Sequence, residues 1–263
     1  MKALKYILFL SIKSNLWIGL SVVSLTLLTH FYFKLPFLLN RVFVTFFATI
    51  IGYSFVQYFY DFKKLKNYNW FKIIGLINVL SLLFLFYFYS QLSFYWQIIF
   101  FILGIFLVLY IVPLSKNKYF IRKISGIKIY YVSLFITFVT AVLPFVENQQ
   151  NIDFWFVFQR FLCVMVLILP FEIQSITTDS KNLKTIPQVL GIKKSKFLGL
   201  LFVFFMIVIE LYFIAKTSFI SLFFYLILGV FVGFSSPKRS VFYTRFWVEI
   251  LPILWLIAIL YFS

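Results

Sequence analysis

The sequence has very little of what metal centres and disulfide frameworks are made from. Cys163 is its only cysteine, so neither an intrachain disulfide nor a cysteine-ligated metal site can form. His30 is its only histidine and has no plausible metal-binding partner in the sequence. Charged residues make up 12% of the chain, and only seven are acidic. No internal repeat and no long linker divides the chain, so we expect one domain over residues 1–263.

The sequence consists largely of long apolar runs. Hydrophobic residues make up 63% of the sequence, against about 45–50% in soluble domains. The runs are about 20 residues long, which is the length that crosses a hydrocarbon core. In lipid they must form helices or closed barrels, and their continuous hydrophobicity favours helices. The predicted fold is an all-α polytopic membrane helix bundle with nine spans: 15–33, 37–60, 71–90, 93–113, 127–146, 152–171, 197–215, 217–235 and 243–262.

Positive charge is the second strong feature, with a net charge of +17. Such a charge suits nucleic-acid binding, but here most Lys and Arg residues occupy short loops on one side of the nine-span arrangement. The positive-inside rule explains that pattern, so we expect no nucleic-acid partner. The rule places the N-terminus in the cytoplasm and the loop of Glu147 and Asp153 outside. Residues 1–13 are expected to form an interfacial segment. We expect the chain to be a multi-pass protein of the inner (cytoplasmic) membrane, surrounded by membrane lipids.

Three of the seven carboxylates, Asp61, Glu172 and Asp179, lie in the predicted cytoplasmic loops or at the helix ends beside them. Glu172, Ser175 and Asp179 are spaced i, i+3, i+7, which puts them on one face of a helix. Gln57 and Asp61 are spaced i, i+4 and also share a face. Mg²⁺ takes oxygen ligands and is commonly held by carboxylates together with substrate phosphates. The pattern therefore predicts a shared cation site, with Gln57 and Ser175 as polar lining.

The loop between the fourth and fifth spans adds positive charge to this end of the bundle. Arg122, Lys123 and Lys128 suit the binding of a diphosphate. Each feature also has a structural explanation. Asp61 fits a solvated helix end, and the positive-inside rule alone accounts for the three basic residues.

Residues 170–191, which run from Pro170 to Gly191, resemble a known motif. Their tail, with Thr185-Ile-Pro187 and Leu190-Gly191, is similar to the second aspartate-rich motif of the UbiA superfamily of intramembrane prenyltransferases. The nine spans, the cytoplasmic N-terminus and Tyr110-Ile-Val-Pro113 ahead of a basic loop are also similar to that family.

The resemblance implies a Mg²⁺-dependent prenyltransferase. It would move an isoprenoid chain from a prenyl diphosphate to a lipophilic or aromatic acceptor. The metal ligands would be Asp61, Glu172 and Asp179, and the aromatic apolar helices would form a tunnel for the prenyl tail. The diphosphate would be bound by Arg122, Lys123 and Lys128.

Several motif positions depart from the family. The first aspartate of the second motif falls on Ser175, and Gln57, Tyr58 and Leu65 occupy the other positions of the first motif. These departures leave a second hypothesis open. The chain would then be a catalytically inactive relative that binds a lipid or serves as a structural membrane subunit. A transporter is disfavoured, because those proteins often contain internal repeats and midplane polar sites.

Two further charge pairs are expected within the spans. Arg160 and Glu210 lie in successive spans, and charges in a membrane usually pair, so we expect an ion pair between them. Glu249 and Arg245 are spaced i, i+4, which favours a pair on one helix over a place in the cytoplasmic cavity.

Overall fold

The computed structural model describes residues 2–59, 62–112, 124, 126–180, 183–214 and 218–262. Within these ranges the chain is helical and contains no strand. The long helices are α1 (Lys2–Lys13), α2 (Leu16–Tyr32), α3 (Leu39–Tyr58), α4 (Asn69–Ser90), α5 (Phe94–Ile111), α6 (Ile127–Glu147), α7 (Phe154–Ser175), α8 (Ile192–Tyr212), α9 (Phe219–Phe234) and α10 (Tyr243–Phe262).

Seven of the described helices, α3 to α8 and α10, are long and apolar enough to cross a membrane. An eighth crossing is formed if α1 and α2, which meet at an angle of 61°, act as one bent span. Helix α9 is apolar but has only 16 residues. The chain is therefore a polytopic helical membrane bundle. Each predicted span overlaps one helix, and the predicted span ends at 60, 113, 215 and 217 lie outside the described residues.

The bend between α1 and α2 has a local cause. Asn15 has a positive φ of 60°, a left-handed conformation that Asn tolerates better than most residues. Its side-chain amide donates a hydrogen bond to the Ser54 hydroxyl on α3 at 3.0 Å. The Tyr58 hydroxyl, also on α3, donates to the Lys13 carbonyl at 2.6 Å. The expected interfacial segment is thus a helix whose end is fastened to α3.

Helix α7 lies at the centre of the bundle. Within the most apolar stretch of this helix, 56% of the residues are buried inside the protein. The corresponding fraction is 17% for α4 and for α5. Side chains from α2, α6, α8, α9 and α10 pack against it in the main core. The large apolar side chains that α4 and α5 leave exposed suit contact with lipid tails, which take the place of protein neighbours.

Two of the described membrane helices contain a π-helical stretch, in which each backbone hydrogen bond spans five residues instead of four. In α6 the stretch is Phe138–Val142, and the Thr140 carbonyl accepts a hydrogen bond from the Thr29 hydroxyl at 2.6 Å. Helix α10 begins with the second stretch, Tyr243–Val248. This stretch changes the angle between Arg245 and Glu249, which interact only at longer range. The predicted pair is therefore an electrostatic interaction and not a close contact.

Glu210 on α8 is fully buried. Its carboxylate accepts hydrogen bonds from the Gln159 amide at 2.9 Å, the Ser218 backbone amide at 3.1 Å and the Tyr225 hydroxyl at 3.4 Å. The Tyr32 hydroxyl donates to it as well. One buried carboxylate therefore links α2, α7, α8 and α9.

Arg160 follows Gln159 on α7 and is also buried. It donates to the Thr29 hydroxyl at 3.3 Å. Its guanidinium lies over the rings of Phe156 and Trp255, at 5.2 and 5.6 Å from their centroids. The predicted ion pair with Glu210 is therefore not a direct contact, although the two charges interact electrostatically at longer range.

Close helix packing around α8 generates a stability prediction. A Cβ atom added at Gly199 would come within 2.7 Å of a Leu169 methyl group and 2.8 Å of a Val232 methyl group. Gly199→Val should therefore lower the free energy of unfolding by about 1–3 kcal/mol through overpacking. Thermal unfolding in detergent measures the effect. Gly233→Val on α9 is the control, because an added Cβ meets nothing there within 4 Å; equal losses in both variants would contradict the packing argument.

Candidate functional site

The predicted site residues fall into two groups. Asp61, Arg122 and Lys123 lie outside the described residues. The other five predicted site residues are described, and four of them lie at one end of α6 and α7: Lys128, Glu172, Ser175 and Asp179. The fifth, Gln57, is half-buried near the end of α3.

Asp179 is the centre of a small polar cluster. One carboxylate oxygen lies 3.2 Å from the Lys128 ammonium nitrogen and also accepts a hydrogen bond from the Ser175 hydroxyl at 2.8 Å. Helix α7 ends at Ser175, but the Asp179 backbone amide still bonds the Ser175 carbonyl at 2.8 Å. The turn after the helix thus keeps both side chains on the side that the spacing predicted.

Glu172 lies one turn before Ser175 on α7 and is only 1% exposed. Neither of its carboxylate oxygens has a well-formed hydrogen bond among the described residues, and the Ile186 backbone amide interacts with the carboxylate only weakly. Lys128 and Asp179 are near enough to interact with it electrostatically. A buried carboxylate with so little hydrogen bonding is destabilising, and a bound cation or a hydrogen-bond donor at this place would stabilise it.

The segment after Asp179 is held against the start of α6. The Gly126 backbone amide bonds the Leu183 carbonyl at 2.9 Å, and Gly126 has a φ of +77° that favours glycine. The Gln188 side chain donates to the Asp179 carbonyl at 3.3 Å and accepts from the Thr185 backbone amide at 3.1 Å. These bonds bring Lys128, two residues after Gly126, beside Asp179.

An apolar cavity of about 480 Å³ lies between α3, α4, α5 and α6. Its volume is within the range of pockets for small organic ligands. The cavity-lining residues of α6 follow Lys128 at spacings of 3, 4, 7, 8 and 11 residues. Lys128 therefore occupies the same helix face, at the end of α6 that lies beside Asp179. Those lining residues are Tyr131, Val132, Phe135, Ile136 and Val139.

The donor set fits a cation that is shared with a substrate. Among the residues that the structure describes, no three His, Cys, Asp or Glu side chains form a metal-binding group. Mg²⁺ does not require one, because one or two carboxylates with substrate phosphates commonly hold it. The buried Glu172 carboxylate and the nearby Asp179 would supply two carboxylates.

Sequence reasoning missed a polar cluster at the opposite end of the bundle. An Arg41 guanidinium nitrogen lies 2.6 Å from a Glu147 carboxylate oxygen, and the His30 Nε2 lies 3.8 Å from the other oxygen. The Arg41 guanidinium also lies 3.9 Å from the centroid of the Trp96 ring. The sequence did contain a signal for this cluster. All three ionisable residues lie near span ends that the predicted topology places on the outer side of the membrane. His30, which was assigned no role, belongs to this cluster.

Comparisons with known proteins do not assign the chain to a family. No protein-family model, curated protein or solved structure matches it. The resemblance of residues 170–191 to the UbiA motif therefore stays a prediction. Function is inferred from the geometry of the described residues.

The buried carboxylate of Glu172 generates a second prediction. Glu172→Met keeps a similar shape and removes the buried charge, so it should raise the free energy of unfolding by about 1–3 kcal/mol in the absence of ligand. The measurement is thermal or denaturant unfolding in detergent. Such a gain would mean that the native carboxylate is retained at a cost in stability.

The control for Glu172→Met is Gln174→Met, two residues further along α7. The Gln174 side chain accepts from the Thr244 hydroxyl at 2.7 Å and donates to the Arg239 carbonyl at 2.8 Å. Its removal should lower stability. If Glu172→Met lowers stability to the same extent, then the Glu172 carboxylate is satisfied within the protein and the interpretation fails.

Proposed function

We propose that the chain is a membrane prenyltransferase that binds a prenyl diphosphate and transfers its isoprenoid chain to a lipophilic or aromatic acceptor. One observation carries the proposal: the helix face of α6 that lines the apolar cavity has Lys128 at the end that lies beside Asp179. An amphipathic molecule with an anionic head and a hydrocarbon tail complements that arrangement. The UbiA-like motif and its position support the same reaction class.

Lys128 is proposed to bind the diphosphate while it stays paired with Asp179. An ammonium group has three N–H donors. The contact of Lys128 with the Asp179 carboxylate, which also accepts from Ser175, uses one of them. The remaining donors suit phosphate oxygens. Arg122 and Lys123, in the loop before α6, are proposed to add further positive charge.

Glu172, Asp179 and Asp61 are proposed to hold Mg²⁺. When bound, Mg²⁺ would supply charge neutralisation to the diphosphate oxygens. In the proposed reaction the carbon–oxygen bond to the allylic carbon breaks and its electron pair leaves with the diphosphate. An electron pair of the acceptor forms the new bond to the allylic carbon, and the acceptor gives up a proton to the diphosphate or to solvent. The apolar cavity excludes water, so transfer to the acceptor is favoured over hydrolysis.

A second candidate function is lipid binding without catalysis. The observation that favours it is the state of Asp179, whose carboxylate is already satisfied by Lys128 and by Ser175, the residue at the family's aspartate position. A protein that neutralises this carboxylate with its own lysine has less need of a metal. The two candidates differ in their Mg²⁺ dependence.

Binding of a non-hydrolysable farnesyl diphosphate analogue to detergent-purified protein tests the proposal. We expect binding that requires Mg²⁺, is weakened at least tenfold by Asp179→Asn and is weakened similarly by Lys128→Met. Asp153→Asn is the matched control at the other end of α7. Asp153 accepts a hydrogen bond from the Phe156 backbone amide at 3.0 Å, and Asn caps helices equally well.

The outcomes separate the two candidates. Mg²⁺-dependent binding that is lost in both site variants and kept in Asp153→Asn supports the prenyltransferase. Tight binding that is indifferent to Mg²⁺ supports the non-catalytic lipid-binding protein. Absence of binding to the wild-type protein rejects both.

We also propose nine spans, with the N-terminus in the cytoplasm and the chain in the inner membrane. Support comes from the basic residues at the cytoplasmic ends of the helices and from the match of each predicted span to a helix. The short helix α9 must then cross a locally thin region of the bilayer. Gln150 and Lys238 are both exposed and would lie on opposite sides.

Cysteine labelling in intact cells tests this topology. In a Cys163→Ser background, Gln150→Cys should react with a membrane-impermeant maleimide. Lys238→Cys should react only after the cells are made permeable, because α7, α8 and α9 separate the two positions. Labelling of both positions from outside would mean that α9 does not cross.

A further inference from the structure

The apolar cavity is elongated along α3. It is lined by residues of this helix from Val44 to Val56, a length of about 18 Å at the rise of an α-helix. Tyr110 and Tyr131 line it at the cytoplasmic end, where their rings stack with centroids 4.7 Å apart. The far end therefore lies deep in the bundle, toward the opposite face of the membrane.

The far end of the cavity adjoins the polar cluster of His30, Arg41 and Glu147. A small second cavity of about 20 Å³ is lined by these three residues. It shares three wall residues with the large cavity: Thr45, Phe100 and Val139. The apolar space thus ends against a charged group.

A hydrocarbon chain cannot easily extend past this cluster. The Arg41–Glu147 ion pair, at 2.6 Å, is mostly buried, with side chains 14% and 10% exposed. Trp96 covers the guanidinium. Separating the pair would leave two uncompensated buried charges, which is strongly unfavourable, and a hydrocarbon chain offers them no replacement partner.

We propose that the Arg41–Glu147 cluster limits the length of the prenyl chain that the cavity accepts. This inference rests on the proposed function, with the diphosphate at Lys128 and the tail directed along α3. An extended chain advances about 1.2 Å per bond, as a polypeptide backbone does, so 18 Å holds about 15 bonds. An isoprene unit contributes four bonds along the chain, and the limit is therefore three to four isoprene units.

A second route for the tail is present in the wall. Gly104 on α5 lines both the large cavity and an open apolar groove on the outer side of α5. A Cβ added at Gly104 would meet nothing within 4 Å. A tail that left through this gap would extend into lipid, and its length would not be limited.

Binding of non-hydrolysable prenyl diphosphates of two, three, four and eight isoprene units separates the routes. We expect the wild-type protein to bind the three shorter analogues with similar affinity and the longest at least tenfold more weakly. Ala48→Leu narrows the cavity at mid-depth. It should weaken binding of the three- and four-unit analogues at least tenfold and leave the two-unit analogue unchanged, which also shows that the variant is folded.

Gly104→Leu fills the lateral gap and tests the second route. Gly233→Leu on α9 is the control, because an added Cβ meets nothing within 4 Å there and the residue lines neither cavity; it should change no affinity. If the eight-unit analogue binds as well as the others, and Gly104→Leu rather than Ala48→Leu weakens it, the tail leaves laterally and the length limit is wrong. Absence of binding for every analogue would overturn the proposed function itself, together with this inference.

Discussion

The structure depends on one constraint: a polar group taken into lipid must find its partner inside the protein. Helices satisfy that constraint for the backbone. Where a π-helical turn disturbs α6, the Thr29 hydroxyl bonds the Thr140 carbonyl. The Glu210 carboxylate collects donors from three neighbouring helices, and Arg41 pairs with Glu147. The Glu172 carboxylate departs from this constraint, because neither of its buried oxygens has a well-formed hydrogen bond among the described residues, and one guanidinium nitrogen of Arg160 departs from it as well.

The positions of the helices could be predicted from the sequence because they depend on local hydrophobicity. Apolar runs of membrane length located a helix at every predicted span. The departures from regular helix could not be predicted in this way. The turn at Asn15 is fixed by Ser54, 39 residues away, and the π-helical start of α10 changes the spacing on which the Arg245–Glu249 pair was predicted.

The candidate site was predictable in part for the same reason. The spacing of Ser175 and Asp179 is local, and the structure brings them together through a short turn. The contact of Asp179 with Lys128 joins residues 51 positions apart, and only the charge of the loop indicated it. The partners of Glu210 were mispredicted because hydrogen bonding in lipid is decided by tertiary neighbours, and uncharged side chains such as Gln159 can serve as well as an arginine. The cavity had no sequence signal beyond a general excess of aromatic residues.

The bond between Gly126 and Leu183 has a consequence for how this protein can change in evolution. Gly126 fixes the start of α6, and Lys128 follows two residues later. An insertion or deletion between them would rotate Lys128 by about 100° around the helix and carry it off the cavity face. Insertions before residue 124 leave that register intact. The two-residue step from Gly126 to Lys128 is therefore fixed in any descendant of this chain that keeps a lysine on the cavity face.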